Sequence, residues 1–227
     1  IAIWVLASCN ENVLAAKTRV NETDTIHVLE HVAGCVRLSL LDHLRRFENT
    51  ETFGLAVVEA HTLERGIRAC VSSFSRHFVN SKMTKGKTCG DYVNSILAKR
   101  ERLLDGYDEA ILLDTQGLVS EASGENIFVV RDRVLATPSL YSVLGGVTRD
   151  TVLEIGRDKG IPIEERAITR DDLSTADEAF LTGTAAEVTP VREIDHRQGG
   201  AGRRGPGAKA VQDAFFDVVA ARNRKDK

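Results

Sequence analysis

The run Glu121-Ala-Ser-Gly-Glu-Asn-Ile-Phe-Val-Val130 constrains the fold more than any other stretch. A glycine turn carrying two acids and an amide lies between two strand-like runs, Leu118 to Glu121 and Ile127 to Val130. Branched and aromatic apolar side chains favour strands on either side, and the Ser-Gly pair breaks them. A turn of this kind gathers its polar side chains at one place, as a site requires. Ile127 to Val130 pairs in its turn with Val134 to Thr137 across Arg131-Asp-Arg133, so the middle of the chain is rich in sheet.

From Gly66 onward, short β-rich runs alternate with helical ones, which predicts an α/β (α+β) fold. Ile67 to Phe74 reads as a strand, and a basic loop then carries Lys82, Lys85 and Lys87 to Gly90. A helix follows, with Asp91 as its N-cap, an apolar face of Val93, Ile96, Leu97, Leu103 and Leu104, and Gly106 as its stop. Ala110 to Leu113 is a strand that Gln116-Gly117 turns back. A second helix opens near Thr148, with Val152 and Ile155 on one face and Gly160 past its end, and Pro162 to Ile168 is strand-like. Thr169 and Asp172 form a capping box, and Glu178 to Thr184 is another β run. Gln198 to Gly207 reads as an exposed loop before an amphipathic helix bearing Val211, Phe215, Val218 and Val219.

Composition excludes several classes. With 42% hydrophobic and 28% charged residues, the chain can build a core. Its apolar runs, such as Ile1 to Ala7, fall far short of the roughly 20 residues that a membrane helix needs. That first run lacks the basic flank of a secretory signal and reads as a strand. A formal charge of −3 with interspersed signs offers no basic face to nucleic acid, so small molecules are the expected partners. Cys9, Cys35, Cys70 and Cys89 are widely spaced, which suggests neither a zinc site nor a disulfide framework and fits a reducing cytoplasm.

The chemistry lies in the loops. A lysine such as Lys87, among other lysines, is ordinarily solvated, but a desolvated lysine can attack a carbonyl as a Schiff-base amine. Glu121 is ordinarily a solvated strand residue, yet a carboxylate against a pyridine nitrogen keeps such a ring protonated. Gly145-Gly146-Val147-Thr148 leads into a helix, where free N–H groups receive phosphate, and Gly183-Thr184-Ala185-Ala186 is a second small-residue turn able to face an anion. An amine, an acid and two anion-cradling turns in this order fit a pyridoxal-phosphate site.

These residues carry a resemblance to the fold-type IV pyridoxal-phosphate enzymes, and among them to the branched-chain amino acid aminotransferases. It spans about residues 60 to 222, through Val71-Ser-Ser-Phe-Ser-Arg-His77, Lys87-Thr-Cys-Gly-Asp-Tyr92, Glu121 to Phe128, Gly146-Val-Thr-Arg-Asp150 and Gly183 to Val191. The resemblance implies that Lys87 binds pyridoxal 5′-phosphate as a Schiff base and relays a proton. It sets Glu121 on the ring nitrogen, Tyr92 near the phenolic oxygen, and Val147, Thr148, Thr184 and Arg46 around the phosphate. Gly183 and Ala185 would face the substrate carboxylate. The implied reaction is ping-pong transfer of an amino group from leucine, isoleucine or valine to 2-oxoglutarate, in a homodimer or larger homo-oligomer.

The N-terminal part departs from the pattern. Ile26 to Gly34 and Asp42 to Phe47 resemble family segments, but the Phe-Glu-Gly-Ile-Arg and Tyr-Ile-Arg-Pro runs are missing, and Lys85 stands where His or Ala is usual. The expected organisation is a reduced small domain over residues 1–60 and a β-rich cofactor-binding domain, flanked by helices, over 61–227. Two other readings remain open. One is a relative with different substrates, such as a D-amino acid transaminase or an aminodeoxychorismate lyase; the other is a non-catalytic homologue that keeps the cofactor.

Overall fold

The computed structural model describes residues 60–225 apart from Met83. Its elements are helix α1 (Ala60–Arg65), strand β1 (Ile67–Val71), a 3-10 turn (Cys89–Tyr92), α2 (Val93–Leu104), β2 (Glu109–Leu113), β3 (Val119–Ala122), β4 (Asn126–Arg131) and β5 (Val134–Thr137). Then come α3 (Val147–Asp158), β6 (Ile163–Glu165), α4 (Arg170–Thr175), β7 (Glu178–Gly183), β8 (Glu187–Ile194), β9 (Arg197–Gln198) and α5 (Pro206–Lys225). Among the described residues the strands form a single mixed sheet in the order β3-β2-β1-β8-β7-β4-β5-β6, with β9 on β8. The expected pairing across Arg131-Asp-Arg133 is present, Val129 opposite Ala136 and Arg131 opposite Val134. No described helix is long and apolar enough to cross a membrane.

The sheet is covered on both faces, which is why Ile127 to Val130 is continuously apolar rather than alternating. Successive side chains of a strand point to opposite faces. Ile127 and Val129, with Ala179 and Leu181 of β7, pack into one core with Ile111, Ile168 and Leu173. Phe128 and Val130, with Phe180, pack into another with Val152 and Leu153 of α3 and Val211 of α5. Phe128 and Phe180 stack with ring centroids 5.1 Å apart; burying each such ring stabilises by roughly 1.5–3 kcal/mol.

Several expectations are corrected. The first strand ends at Val71 rather than Phe74. Asp91 is not a helix N-cap: it is buried inside the 3-10 turn, where its carboxylate accepts from the Thr88 hydroxyl at 2.8 Å, and Tyr92 caps α2. The supposed apolar face of α2 is the outer one. Val93, Leu97, Leu103 and Leu104 are exposed, and the helix instead buries Ser95 and Ala98, with Ala98 packing on Ala110 and Leu112 of β2. Pro162 to Ile168 forms only the three-residue β6. On α5, Val211 is buried and Phe215 packs on the core, but Val218 and Val219 are exposed. Strand β8 was not among the elements expected from the sequence. Its Pro190 lacks an N–H and argues against an inner strand, but β1 meets β8 only from Val191 onward, so the proline lies where that flank needs no donor.

The helix at Val147–Asp158, its burial of Val152 and Ile155, and the Thr169/Asp172 capping box are as expected.

Candidate active site

Glu121 is the centre of the arrangement. It lies on β3 opposite Leu112 of β2 and is 7% exposed. Its Oε1 is 2.8 Å from Arg76 Nε, and its Oε2 accepts from the Leu144 N–H at 3.0 Å. Burial pushes its carboxyl above the ordinary value, while Arg76, the Leu144 N–H and Lys85 pull the other way. A buried carboxyl in which desolvation outweighs the available donors is suited to a further positively charged N–H.

Arg76 reaches this position through the loop after β1. The Arg76 N–H donates to the Leu113 carbonyl, its Nη1 donates to the Asp91 carbonyl at 3.1 Å, and the side chain is 4% exposed. The start of the same loop is tied to α2, where Glu101 accepts from the Ser72 hydroxyl at 2.7 Å and from the Ser73 hydroxyl. Arg76 lies in the Val71–His77 stretch, where nothing in the sequence marks a role for it. Its partner lies on a strand remote in sequence, and no local pattern signals such a pairing.

Residues 138–146, between β5 and α3, are fastened by side chains from several elements. Arg149, 1% exposed, donates to the Pro138 carbonyl at 3.1 Å and pairs with Glu165 at 2.7 Å. Ser120 Oγ donates to the Ser142 carbonyl at 2.9 Å, and Asn126 Nδ2 to the Leu144 carbonyl at 2.9 Å. Lys85 Nζ donates to the Leu140 and Val143 carbonyls. These bonds aim the Leu144 N–H at Glu121 and deliver Gly146 as the N-cap of α3, which has no side-chain cap. The first intrahelical bond runs from the Asp150 N–H to the Gly146 carbonyl, so the N–H groups of the first turn are left for an anion.

The other expected residues are distributed unevenly. Thr148 is buried in that first turn, whereas Val147 is 78% exposed. Tyr92 is half-buried; burial first and then Glu121 push its hydroxyl above the ordinary value, so it remains a donor at neutral pH. Lys87 is exposed at the end of its loop, and the amine whose charge acts on Glu121 is that of Lys85. Gly183 ends β7 beside the 121–126 turn: a Cβ there would lie 3.4 Å from Glu125 Cγ. Thr184 and Ala185, which follow it, are exposed. Arg46 lies outside the described residues. Glu125, to which the sequence gave no role, is partly buried, and burial pushes it up to about 8.

The set of donors and acceptors fits pyridoxal phosphate. A buried carboxyl answers a pyridinium N–H, an uncapped helix start answers a phosphate, and the buried Thr182 hydroxyl next to Gly183 has no hydrogen-bond partner among the described residues.

The family model described as amino-transferase class IV matches residues 32–194. A branched-chain-amino-acid aminotransferase of Pseudomonas aeruginosa is 49% identical over 167 residues, which are 74% of this chain and 54% of that protein. Among solved structures, the branched-chain amino acid aminotransferase of Escherichia coli superposes with a TM-score of 0.68 at 46% identity, over 69% of this chain and 53% of that one. The branched-chain amino acid aminotransferase of Thermobaculum terrenum, solved in its PLP-form, superposes with a TM-score of 0.68 at 38% identity, over 69% of this chain and 52% of that one. The chain thus spans about half the length of the relatives it matches.

Proposed function

The chain belongs to the class IV amino-transferase family, and from that premise we propose that it binds pyridoxal 5′-phosphate and transfers the amino group of leucine, isoleucine or valine to 2-oxoglutarate. The observation that carries the reading is the buried Glu121 carboxyl, held by Arg76 and the Leu144 N–H a few residues before an uncapped helix start. The names of the relatives support the choice of substrates.

When bound, the cofactor supplies a protonated pyridine ring that takes up the electrons of a breaking Cα–H bond. The chain's own residues do the rest. Glu121 holds the proton on the ring nitrogen, with Arg76 favouring its ionised form. Tyr92 offers its hydroxyl to the phenolic oxygen. The N–H groups of Val147 and Thr148, the Thr148 and Thr184 hydroxyls and Arg46 hold the phosphate. Lys87 would hold the cofactor through its carbonyl carbon and would carry a proton to and from the substrate Cα; its side chain is exposed, so the desolvation that such an amine requires would have to come with the bound cofactor. Gly183 and Ala185 receive the substrate carboxylate. Donor and acceptor use this subsite in turn, which gives a ping-pong order.

The division into a small domain over 1–60 and a cofactor-binding domain over 61–227 is part of the same reading. We further assign a homodimer or larger homo-oligomer, supported by the exposed apolar side chains of Val93, Leu97 and Leu104. A reducing cytoplasm suits the free, exposed Cys89 thiol.

The test uses the whole chain with added pyridoxal phosphate. Borohydride is expected to fix the cofactor to the peptide containing Lys87 and not to the Lys87→Ala variant, and L-leucine, not D-alanine, is expected to donate its amino group to 2-oxoglutarate. A label on another lysine overturns the site. Turnover of D-alanine alone overturns the substrate assignment, and labelled Lys87 with no amino donor accepted makes the chain a cofactor-binding homologue without transferase activity.

A further inference from the structure

Among the described residues, Lys85 is the cation of the Lys82–Lys87 loop whose amine is bonded to residues 138–146. It donates to two carbonyls there, Leu140 and Val143, the latter at 3.1 Å. Val143 is 1% exposed, and the next residue, Leu144, gives its N–H to Glu121 and its carbonyl to Asn126. Two residues further on, Gly146 caps α3. A break at Lys85 would therefore loosen the donor on Glu121 and the approach to the helix start, which Ser120 and Asn126 would then hold without it. Chain geometry adds a second consequence. Lys85 and Lys87 are two residues apart, so their Cα atoms cannot separate by more than about 7 Å. Fixing the first confines the second, whose side chain is exposed.

We propose that Lys85 is a positioning residue that ties the Lys82–Lys87 loop to residues 140–143, holding Lys87, the Leu144 N–H on Glu121 and the start of α3 in one fixed relation. This rests on the reading above that Lys87 and Glu121 serve one site. Lys85 also adds a positive charge near Glu121, beside that of Arg76; Tyr92 from the 3-10 turn, the Glu125 carboxyl and the Leu144 N–H also act on the carboxyl. Lys85 is largely exposed, so replacing it spares the core.

The experiment compares Lys85→Met, Lys85→Gln and Lys85→Arg with the parent chain, first without cofactor. In Lys85→Met the Leu144 amide is expected to exchange its hydrogen about tenfold faster, matching the loss of a charge-assisted bond, while the Phe180 amide in the core is unchanged. The titration midpoint of a 13C-labelled Glu121 carboxyl should move upward, because a cation favouring its ionised form is gone. Lys85→Arg should restore both, and Lys85→Gln, which keeps a neutral donor, should recover part of the exchange protection but none of the midpoint. With cofactor, borohydride trapping at Lys87 should slow in Lys85→Met by a similar factor and recover in Lys85→Arg. Unchanged Leu144 exchange in both Lys85→Met and Lys85→Gln overturns the proposal. These cofactor-free measurements are independent of whether Lys87 takes the cofactor: no label at Lys87 in the parent chain, with Leu144 loosened in Lys85→Met, overturns the functional reading and leaves the tether standing.

Discussion

Arg76 Nε lies 2.8 Å from Glu121 Oε1, and both side chains are almost fully buried, at 4% and 9% exposure. Removing one partner of a buried pair leaves the other charge uncompensated, at a cost of about 3–5 kcal/mol. Arg76→Met is therefore expected to lower the unfolding free energy by about 3 kcal/mol at pH 8. The loss has a definite pH dependence. Arg76 opposes the rise in the Glu121 pKa caused by burial, so without it the folded carboxyl titrates still further above its unfolded value. The native variant then keeps a proton that the unfolded chain releases, and its stability falls as pH rises through that window. Urea unfolding at pH 5 and pH 8 should show the smaller loss at pH 5; an equal loss at both would mean that the charge of the pair is not what holds it.

Glu101 presents the opposite case. Burial raises its pKa, but the hydroxyls of Ser73 and Ser72 and the Ser73 N–H outweigh burial and bring it down to about 2. Its stabilising contribution is present above the unfolded value and is lost as pH falls toward 2. Glu101→Gln should cost on the order of 1 kcal/mol at pH 7 and much less at pH 2. The loop leading to Arg76 should loosen with it, seen as faster exchange of the Ser73 amide. A variant as stable as the parent at pH 7 would show that this tie contributes nothing.

Much of this architecture was legible in the sequence, because local chemistry and fold agree there. Arg131-Asp-Arg133 closes the β4–β5 hairpin with Asp132 and Arg133 at positive φ, Thr169 and Asp172 cap α4, and Gly160 ends α3 at positive φ. Legibility failed where long-range packing overrode the pattern. The apolar periodicity of α2 marked Val93 and Leu97, but the close approach to β2 is made by the small Ala98, so the apolar side faces outward. β8 carries Pro190, and the sequence does not reveal which flank of a strand goes unpaired. Around the proposed site, the 121–126 turn and the helix start near Thr148 were visible locally, while the roles given to Glu121 and Thr148 came from the family resemblance. Arg76 and Lys85 were not visible, since each acts on a carboxyl or carbonyl that only the fold brings near.

Glu125 gives a further pH prediction. Burial first, and then the nearby Glu109, push it up to about 8, with Lys99 and the Gly124 N–H acting against them. The folded carboxyl holds a proton that the unfolded chain releases above about 4.5, so stability declines as pH rises from 4.5 to 8. Glu125→Gln lacks this slope. Its unfolding free energy should gain on that of the parent between pH 5 and pH 8 by at least about 1.4 kcal/mol, the equivalent of one pKa unit. Parallel curves over that range would show that Glu125 is ionised in the folded chain like any exposed carboxylate.

Gly146 tests the helix start without touching a titratable group. Its backbone is extended, with φ −96° and ψ 136°, so alanine suffers no conformational penalty there. Space is the constraint: a Cβ would fall 2.2 Å from Asn126 Oδ1. Asn126 cannot turn away freely, because its Nδ2 donates to the Leu144 carbonyl at 2.9 Å and the residue is 7% exposed. Gly146→Ala must therefore displace either the amide or the first turn of α3, at a cost of about 1–3 kcal/mol. The same displacement moves the N–H groups proposed to hold the phosphate, so affinity for pyridoxal phosphate should fall together with stability. Gly145→Ala is the control, since its Cβ would meet only Leu140 Cδ2 at 3.9 Å. Equilibrium dialysis and urea unfolding of the two variants should separate them, and equal behaviour would mean that the fit around Asn126 is looser than these distances imply.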